Sequence, residues 1–436
     1  MDVANSVSVG LGLGWAFYLP LAALVGLLVL GVPIWVSIGL GTVGMLYFGD
    51  GLPLSLFGEA LFDGISAFAL LAIPMFVLTG DLLVRTGLSD RLLDLAEATV
   101  GPIRTGMGTA TVLGCGFFAC VSGSDAAGAA AVGRMTVHRL VEVGYPRPAA
   151  AALVAAGACT GILIPPSIAY IIIGLVLGIS VSTLFLAALV PGVLILISIM
   201  ITNAVLNRIH GYERADKRFA LGHWLRTVWA ARYALMVPVV ILGGIYSGIF
   251  TPTEAAAVAV MTTASVGFMQ GTLSLADVPK TLESSARING VIVPIIALSL
   301  PLAQTLSSLD IPEYFVSAVV ETTENPYLVA LLIIGILVAA GCVMEATPNI
   351  VILSPLLLPL AESIGMHEIH FAVVMITALG VGFITPPLGL NLFVLAGISG
   401  ESIFRIAARA VPFVLVMLAV VILLAFVPAL SMWSVS

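Results

Sequence analysis

A Pro-Pro pair interrupts an apolar run twice in this chain, in the same register each time. One run starts at Gly144 and reaches Gly161-Ile162-Leu163-Ile164-Pro165-Pro166-Ser167; the other starts at Gly365 and reaches Gly382-Phe383-Ile384-Thr385-Pro386-Pro387-Leu388. Gly161 and Gly382, and Pro165 and Pro386, fall at equal offsets from Gly144 and Gly365, with no gap. Proline removes an N–H and frees the carbonyl four residues before it. At membrane depth such backbone survives only where protein or a polar cavity satisfies it. Broken apolar helices at matching places in two halves are the mark of a carrier built from internal repeats.

The membrane setting follows from composition. The chain is 60% hydrophobic and only 9% charged, against roughly 25% charged in a soluble domain. The reading is an all-α polytopic membrane protein. Met1 to Gly14 holds no Lys or Arg, so it lacks the basic start of a cleavable signal. Cys115, Cys120, Cys159 and Cys342 lie in apolar segments without metal-ligand spacing, as buried free thiols do. His138, His210, His223, His367 and His370 lie in loops or at span ends without ligand spacing between helices, and His367 and His370, three apart with no third ligand, are read as surface residues. There is no phosphate-binding glycine loop, zinc motif or paired catalytic carboxylate motif. These absences argue against an enzyme and against ATP hydrolysis by this chain. A channel would need oligomeric symmetry, whereas this chain carries its repeat within itself.

Apolar spans fall near Trp15–Leu30, Pro33–Phe48, Ile65–Leu83, Pro148–Gly178, Ser182–Leu206, Tyr233–Ile249, Pro252–Met269, Ile288–Leu306, Phe371–Ala396 and Phe404–Val427. Two further stretches, about 105–135 and 327–360, turn at polar tips and read as re-entrant hairpins. With the N-terminus outside, Arg85, Arg91, Arg104, Arg134, Arg139, Arg147, Arg208, Arg214, Lys217, Arg218, Arg226, Arg232, Lys280, Arg287, Arg405 and Arg409 all fall on the cytoplasmic side. These are all 16 basic residues, as the positive-inside rule asks. The outer loops hold acids such as Asp50, Glu59, Asp63, Asp310, Glu313, Glu321 and Glu324. The first half then starts outside and the second inside, so the repeats are inverted. Residues 1–207 form the first, with its broken helix at about 148–178. Residues 233–436 form the second, with its broken helix at about 370–396. Weaker echoes pair Gly31-Val32-Pro33 with Phe250-Thr251-Pro252, and Ile73-Pro74 with Val293-Pro294. The basic segment 208–232, with Trp224 and Trp229, reads either as a linker lying in the interface or as a plain tether.

In each repeat a hairpin tip is expected to meet a broken helix near the midplane. Freed carbonyls with Ser, Thr and Asn oxygens make a hard-oxygen cage suited to Na+, while half-helix N-termini suit a carboxylate. One Na+ site is assigned to Ser122, Gly123, Ser124, Asp125, Thr160 and Gly161, and a second to Glu345, Thr347, Pro348, Gly382 and Thr385. The solute site is assigned to Ser124, Asp125, Pro165, Pro166, Ser167, Asn349, Pro386, Pro387 and Asn391. No other metal site is expected.

Several runs carry a family resemblance. They are Ser122-Gly123-Ser124 with the Ala/Gly stretch to Gly133, Gly144-Tyr145, Gly161 to Ser167, Pro191-Gly192, Gly243-Gly244-Ile245, Gly248 to Ala257 with its Thr-Pro-Thr-Glu-Ala-Ala-Ala, Met344-Glu345 with Pro348, and Thr385 to Val394. Together they resemble the large membrane subunit of tripartite ATP-independent periplasmic (TRAP) transporters of the DctM type, over nearly the whole chain. The resemblance implies a Na+-driven, elevator-type importer of a small carboxylate-bearing solute in a bacterial inner membrane; the charge count places both termini on the periplasmic side. It also implies a periplasmic substrate-binding protein and a small four-helix membrane subunit, the latter expected as a separate chain. The alternative is a Na+- or H+-coupled organic-anion elevator symporter that works without a binding protein.

One residue departs from the family pattern, which has a second Ser where this chain has Asp125. A carboxylate in the membrane marks a functional site. Asp125 reads as a Na+ ligand, a protonatable coupling group, a partner for a cationic solute group, or an N-cap. As a solute contact it disfavours a simple dicarboxylate and favours a zwitterionic or hydroxylated acid. Glu254 reads as a helix-start residue behind Thr251 and Pro252, whereas Glu345 is expected beside the second ion site.

Overall fold

The computed structural model describes residues 15–48, 53–101, 105–213, 220–323 and 325–433. Met1 to Gly14, Asp50, Arg104, Arg214, Lys217, Arg218 and Glu324 lie outside the described residues. Among those described, every regular element is a helix, so the all-α expectation holds.

The chain opens with α1 (Trp15–Val29), α2 (Ile34–Phe48), α3 (Ser55–Ser66), α4 (Ala72–Arg85) and α5 (Leu88–Val100). A helical hairpin follows, α6 (Gly106–Ser122) and α7 (Asp125–Glu142). Then comes a broken helix of α8 (Arg147–Ala158), a single turn α9 (Thr160–Leu163) and α10 (Ile168–Leu177), bent by 41° at the break. The long α11 (Val181–His210) closes this half.

The second half runs α12 (Leu221–Tyr246), α13 (Pro252–Met269), α14 (Val278–Ser308) and α15 (Ile311–Thr322). It continues with a hairpin, α16 (Pro326–Gly341) and α17 (Ala346–Ser363), and a broken helix, α18 (Glu368–Gly382) and α19 (Leu390–Ser399). It ends with α20 (Ile403–Phe426) and the short α21 (Ala429–Met432). Hairpin, broken helix and long helix thus occur in the same order twice. Both second half-helices have 10 residues, and each stops at a left-handed glycine, Gly178 and Gly400.

By length and composition, six helices among the described residues can cross a membrane, or seven counting the bent pair as one. This differs from the ten spans expected. The helices at Trp15–Val29 and Ile34–Phe48 have 15 residues each, short of the roughly 20 needed. The span expected at Ile65–Leu83 is one of the six, Phe68–Arg85, entered through a 3-10 turn at Phe68–Leu71. Of segment 208–232, residues 208–210 extend α11 and 221–232 begin α12, where the Trp224 indole donates to Thr99 Oγ1 at 3.1 Å.

The two broken helices hold the longest buried runs among the described residues. Residues 150–158 of α8 and 369–382 of α18 are buried without interruption. Packing crosses between the halves: α10 lies against α17 of the second hairpin, and α19 lies against α7 and α8. Around this body, α14 packs on α2, α3, α4 and α17, and α12 packs on α5 and α13.

Two local devices explain where helices start. At α13, Glu254 N donates to Thr251 Oγ1 (3.3 Å) and Thr251 N donates to Glu254 Oε2 (2.9 Å), a capping box that matches the helix-start reading. At α6, the cap comes from afar. Buried Glu213 accepts from Met107 N (2.6 Å) and Gly108 N (3.3 Å), placing negative charge at a helix N-terminus. Asn207 holds the Glu213 backbone through bonds of 2.8 and 3.1 Å.

His370 corrects the surface reading. It is 1% exposed, with Nδ1 at 2.6 Å from Ser431 Oγ and Nε2 at 3.3 Å from Ala425 O. It belongs to the first turn of α18, which is buried from Ile369 on, and its ring nitrogens tie that helix to the end of α20 and to α21. His367 caps α18, accepting from Ile369 N at 3.2 Å.

Removing the carboxylate in Glu213→Ala orphans two N–H groups and is expected to cost about 1.5–3 kcal/mol. In thermal unfolding of the purified protein this reads as a clear fall in midpoint. Glu142→Ala, which loses only the exposed pair with His138, is expected to stay within about 0.5 kcal/mol.

Candidate functional site

Each hairpin tip is seated on the break of its own half. In the first, α6 ends at Ser122, Gly123 turns with φ +62°, and Ser124 caps α7 by accepting from Ala127 N at 3.4 Å. Asp125 is therefore the first helical residue and not the N-cap; the preceding hydroxyl takes that role. Gly123 O accepts from Ile168 N at 3.1 Å, joining tip to break. Gly161 lies so close to the tip that an added Cβ would stand 2.7 Å from the Ser124 carbonyl oxygen and 2.8 Å from Asp125 Cα. Only glycine permits that approach.

Polar groups freed by the break are partly resatisfied within it. Ser167 Oγ donates to Ile162 O, and Thr160 Oγ1 to Gly157 O, both at 2.7 Å. The Pro165-Pro166 peptide is cis, as is Pro386-Pro387.

The second half repeats the arrangement. Cys342 O accepts from Leu388 N (3.0 Å) and Gly389 N (3.2 Å). Gly382 packs on Gly341, an added Cβ standing 2.6 Å from Gly341 Cα. Asn349 closes the tip from inside, donating to Ala340 O at 3.2 Å and Met344 O at 3.0 Å. Thr385 Oγ1 donates to Val381 O at 2.8 Å. The breaks differ in exposure: Pro165, Pro166 and Ser167 are buried, whereas Pro386, Pro387 and Leu388 are exposed.

The two tips share one cleft of about 30 Å³. Its lining includes Ser124, Asp125, Glu345 and Thr347, with Ile162, Ile168 and Ile172 from the first broken helix and Ile292 from α14. Since one water centre needs roughly 10–15 Å³, the cleft holds an ion or a water or two, but no organic acid. A larger cavity of about 550 Å³ between α5 and α12 shares no residue with either tip.

Asp125 is 3% exposed and its Oδ2 has no hydrogen-bond partner. Its carboxyl faces Glu345, and the Asn391 amide is its polar neighbour. Asn391 Nδ2 points at Cys159 Sγ (3.4 Å) and Ala155 O (3.5 Å), and its Oδ1 has no partner. Asn391 therefore brings the second break to the first tip.

The expected residues sort accordingly. Ser122, Gly123, Ser124, Asp125 and Gly161 come together, with Thr160 turned onto its own helix. Glu345 and Thr347 line the cleft, and Pro348 follows in the first turn of α17. Gly382, Thr385 and Asn349 shape the second tip and break. Asn391 reaches Asp125, while Pro386 and Pro387 are not in the cleft lining. Glu213 and Ile292 had no motif to announce them. Among the described residues no three His, Cys, Asp or Glu side chains converge.

A membrane protein whose described elements are all helices, with two polar tips and the first helix break around an ion-sized cleft, has the build of a transporter. Its fold is similar to that of the YdaH transporter of Alcanivorax borkumensis, with TM-score 0.63 and 12% identity, covering 86% of this chain and 88% of that one. It is also similar to Neisseria gonorrhoeae MtrF, with TM-score 0.59 and 13% identity, covering 87% and 85%.

The family described as "Tripartite ATP-independent periplasmic transporter, DctM component" matches residues 21–430, and the chain belongs to it. It is thus a transporter membrane component and not an enzyme. The chain is 38% identical over 373 residues to the C4-dicarboxylate TRAP transporter large permease protein DctM of Pseudomonas aeruginosa, covering 85% of this chain and 87% of the relative. It is 32% identical over 417 residues to the 2,3-diketo-L-gulonate TRAP transporter large permease protein YiaN of Escherichia coli, covering 94% and 96%. It is 35% identical over 407 residues to the isethionate TRAP transporter permease protein DctMQ of Oleidesulfovibrio alaskensis, where it spans 93% of its own length but only 64% of the relative's.

Gly161→Ala and Gly382→Ala force backbone apart at the tip–break contacts and are each expected to destabilise by about 1–3 kcal/mol. Gly335→Ala, where an added Cβ meets nothing within 4 Å, is expected to be neutral or stabilising. Thermal unfolding of the three variants checks the contrast.

Proposed function

We propose that this chain is the large permease subunit of a Na+-coupled TRAP importer in a bacterial inner membrane, carrying a small carboxylate-bearing solute. One observation carries the reading. Two buried acceptors, Asp125 Oδ2 and Asn391 Oδ1, belong to neighbouring side chains and make no hydrogen bond of good geometry within the protein, although the Asp125 carboxyl as a whole lies near the Asn391 amide and the first N–H groups of α7. Buried acceptors of that kind suit an ion, a proton or a water.

Magnitudes favour a cation. Asp125, Ile168 and Thr347 bring the N-terminal ends of α7, α10 and α17 to the cleft. Each terminus contributes roughly 0.3–1 kcal/mol toward an anion. A buried carboxylate costs several kcal/mol, and Glu345 adds like-charge repulsion. Three termini do not offset that; a cation held by carboxylate and amide oxygens does. With the cation in place, the same termini are left to attract the carboxylate of a solute. The relatives named for isethionate, C4-dicarboxylate and 2,3-diketo-L-gulonate support a small acid. Asp125 favours one bearing a hydroxyl or ammonium group over a plain dicarboxylate.

In this reading the two halves are inverted repeats with periplasmic termini. The hairpins and broken helices move as one body against α1–α5 and α12–α14. A small four-helix subunit braces the frame, and a periplasmic protein delivers the solute.

Reconstitution with the cognate small subunit and binding protein tests this. Uptake into proteoliposomes is expected to require the binding protein and an inward Na+ gradient. Asp125→Asn is expected to lower it at least about tenfold, equivalent to about 1.4 kcal/mol in the barrier. Uptake that runs equally well without Na+, or without the binding protein, contradicts the proposal.

A further inference from the structure

The cleft between the hairpin tips is bordered on one side by Ile292 of α14. Below Ile292, toward the start of that helix, Asn289, Ser285 and Thr281 follow at spacings of three and four residues, which puts them on one face. Thr281 is 1% exposed and Ser285 5% exposed. Buried serines and threonines in this protein ordinarily donate back to their own helix, as Thr42, Thr136, Thr263 and Thr377 do. Ser285 Oγ does not and has no partner; Asn289 Oδ1 is likewise buried and unpartnered, although its Nδ2 donates to Ser285 O at 2.7 Å. Two adjacent orphan groups on one buried face are an expense no packing argument explains, since apolar side chains would fill the same space without it.

The stripe has the right length and ends in the right place. From Thr281 to Ile292 a helix rises about 16 Å, close to half of the roughly 30 Å hydrocarbon core. At its outer end, Thr281 Oγ1 donates to Asp277 O at 2.9 Å, and Asp277 lies near Arg85 at the end of α4. The face thus runs from the cleft to a charged rim, along a helix packed against α4 and α17.

We infer that Thr281, Ser285 and Asn289 line a hydrated half-channel through which a small polar solute passes between the cleft and the rim at Asp277 and Arg85. In the closed arrangement the half-channel is collapsed, which leaves Ser285 and Asn289 without partners. When the hairpin body separates from α14, water and then the solute supply the missing bonds. This rests on the transport reading above.

Thiol labelling tests it through water access, whichever condition opens the path. Ser285→Cys, Asn289→Cys and Leu415→Cys are made in the full chain with the four native cysteines replaced. Each is exposed, in vesicles, to a charged, water-soluble thiol reagent in choline, in Na+, and in Na+ with a C4-dicarboxylate. Leu415 is exposed on a face of α20 that it shares with exposed Val411 and with no charged residue within one turn, so a thiol there in lipid does not ionise. The Ser285→Cys and Asn289→Cys variants are expected to react at least about tenfold faster than Leu415→Cys in one of these conditions. Reaction no faster than Leu415→Cys in all of them overturns the inference and leaves Na+-dependent uptake as a separate question. For folding, Ser285→Ala provides the second reading. It is expected to hold or raise the unfolding midpoint while slowing uptake at least about threefold. A lowered midpoint with uptake unchanged also overturns it.

Discussion

Everything in this fold depends on backbone meeting backbone where helices are broken. Gly123 O takes the N–H of Ile168, and Cys342 O takes those of Leu388 and Gly389. The glycine contacts at Gly161 and Gly382 let the chains approach that closely. Without them, four half-helix ends would carry unsatisfied groups inside a membrane, at several kcal/mol each. The tip and its break are therefore a single structural unit, and neither is stable alone in that setting.

The units are also tied to each other. Because α10 lies on α17 and α19 lies on α7 and α8, the second half-helix from each half supports the hairpin of the other. The same exchange brings Asn391 to Asp125. These crossed contacts join the two units, and their ion-sized cleft sits where they meet α14 at Ile292. The difference between a buried first break and an exposed second break makes the two sides of this body unlike, although their backbones are built alike.

Much of this was legible in the sequence. Pro-Pro pairs, flanking glycines and polar tips are local signals, and the breaks and hairpins fall where those signals stand. Thr251, Pro252 and Glu254 form the capping box that their order announces. Contacts between distant segments were not legible. Nothing local tells that Asn391 reaches the first tip, that Ile292 borders the cleft, or that Glu213 caps α6. Asp125 was open to reading as a cap because Ser124 and Asp125 are both good cap residues; only the backbone decides that Ser124 holds the position. His370 was misread because histidine near a turn is commonly exposed, whereas here the turn itself is buried under α20. Span counting fared worst, since 15-residue helices such as Ile34–Phe48 and broken pairs look like full spans in hydropathy.

The central claim is that the oxygens of Asp125 and Asn391 hold a cation that the folded hairpin body requires. Its most direct test is equilibrium binding of radioactive Na+ to the purified protein, alongside the unfolding midpoint in Na+ and in choline at equal ionic strength. Saturable Na+ binding is predicted, with stabilisation reaching about 2.7 kcal/mol at one hundred times the dissociation constant, and both are predicted to fall in Asp125→Asn and Asn391→Ala. Absence of saturable binding, or binding untouched by either substitution, would contradict it.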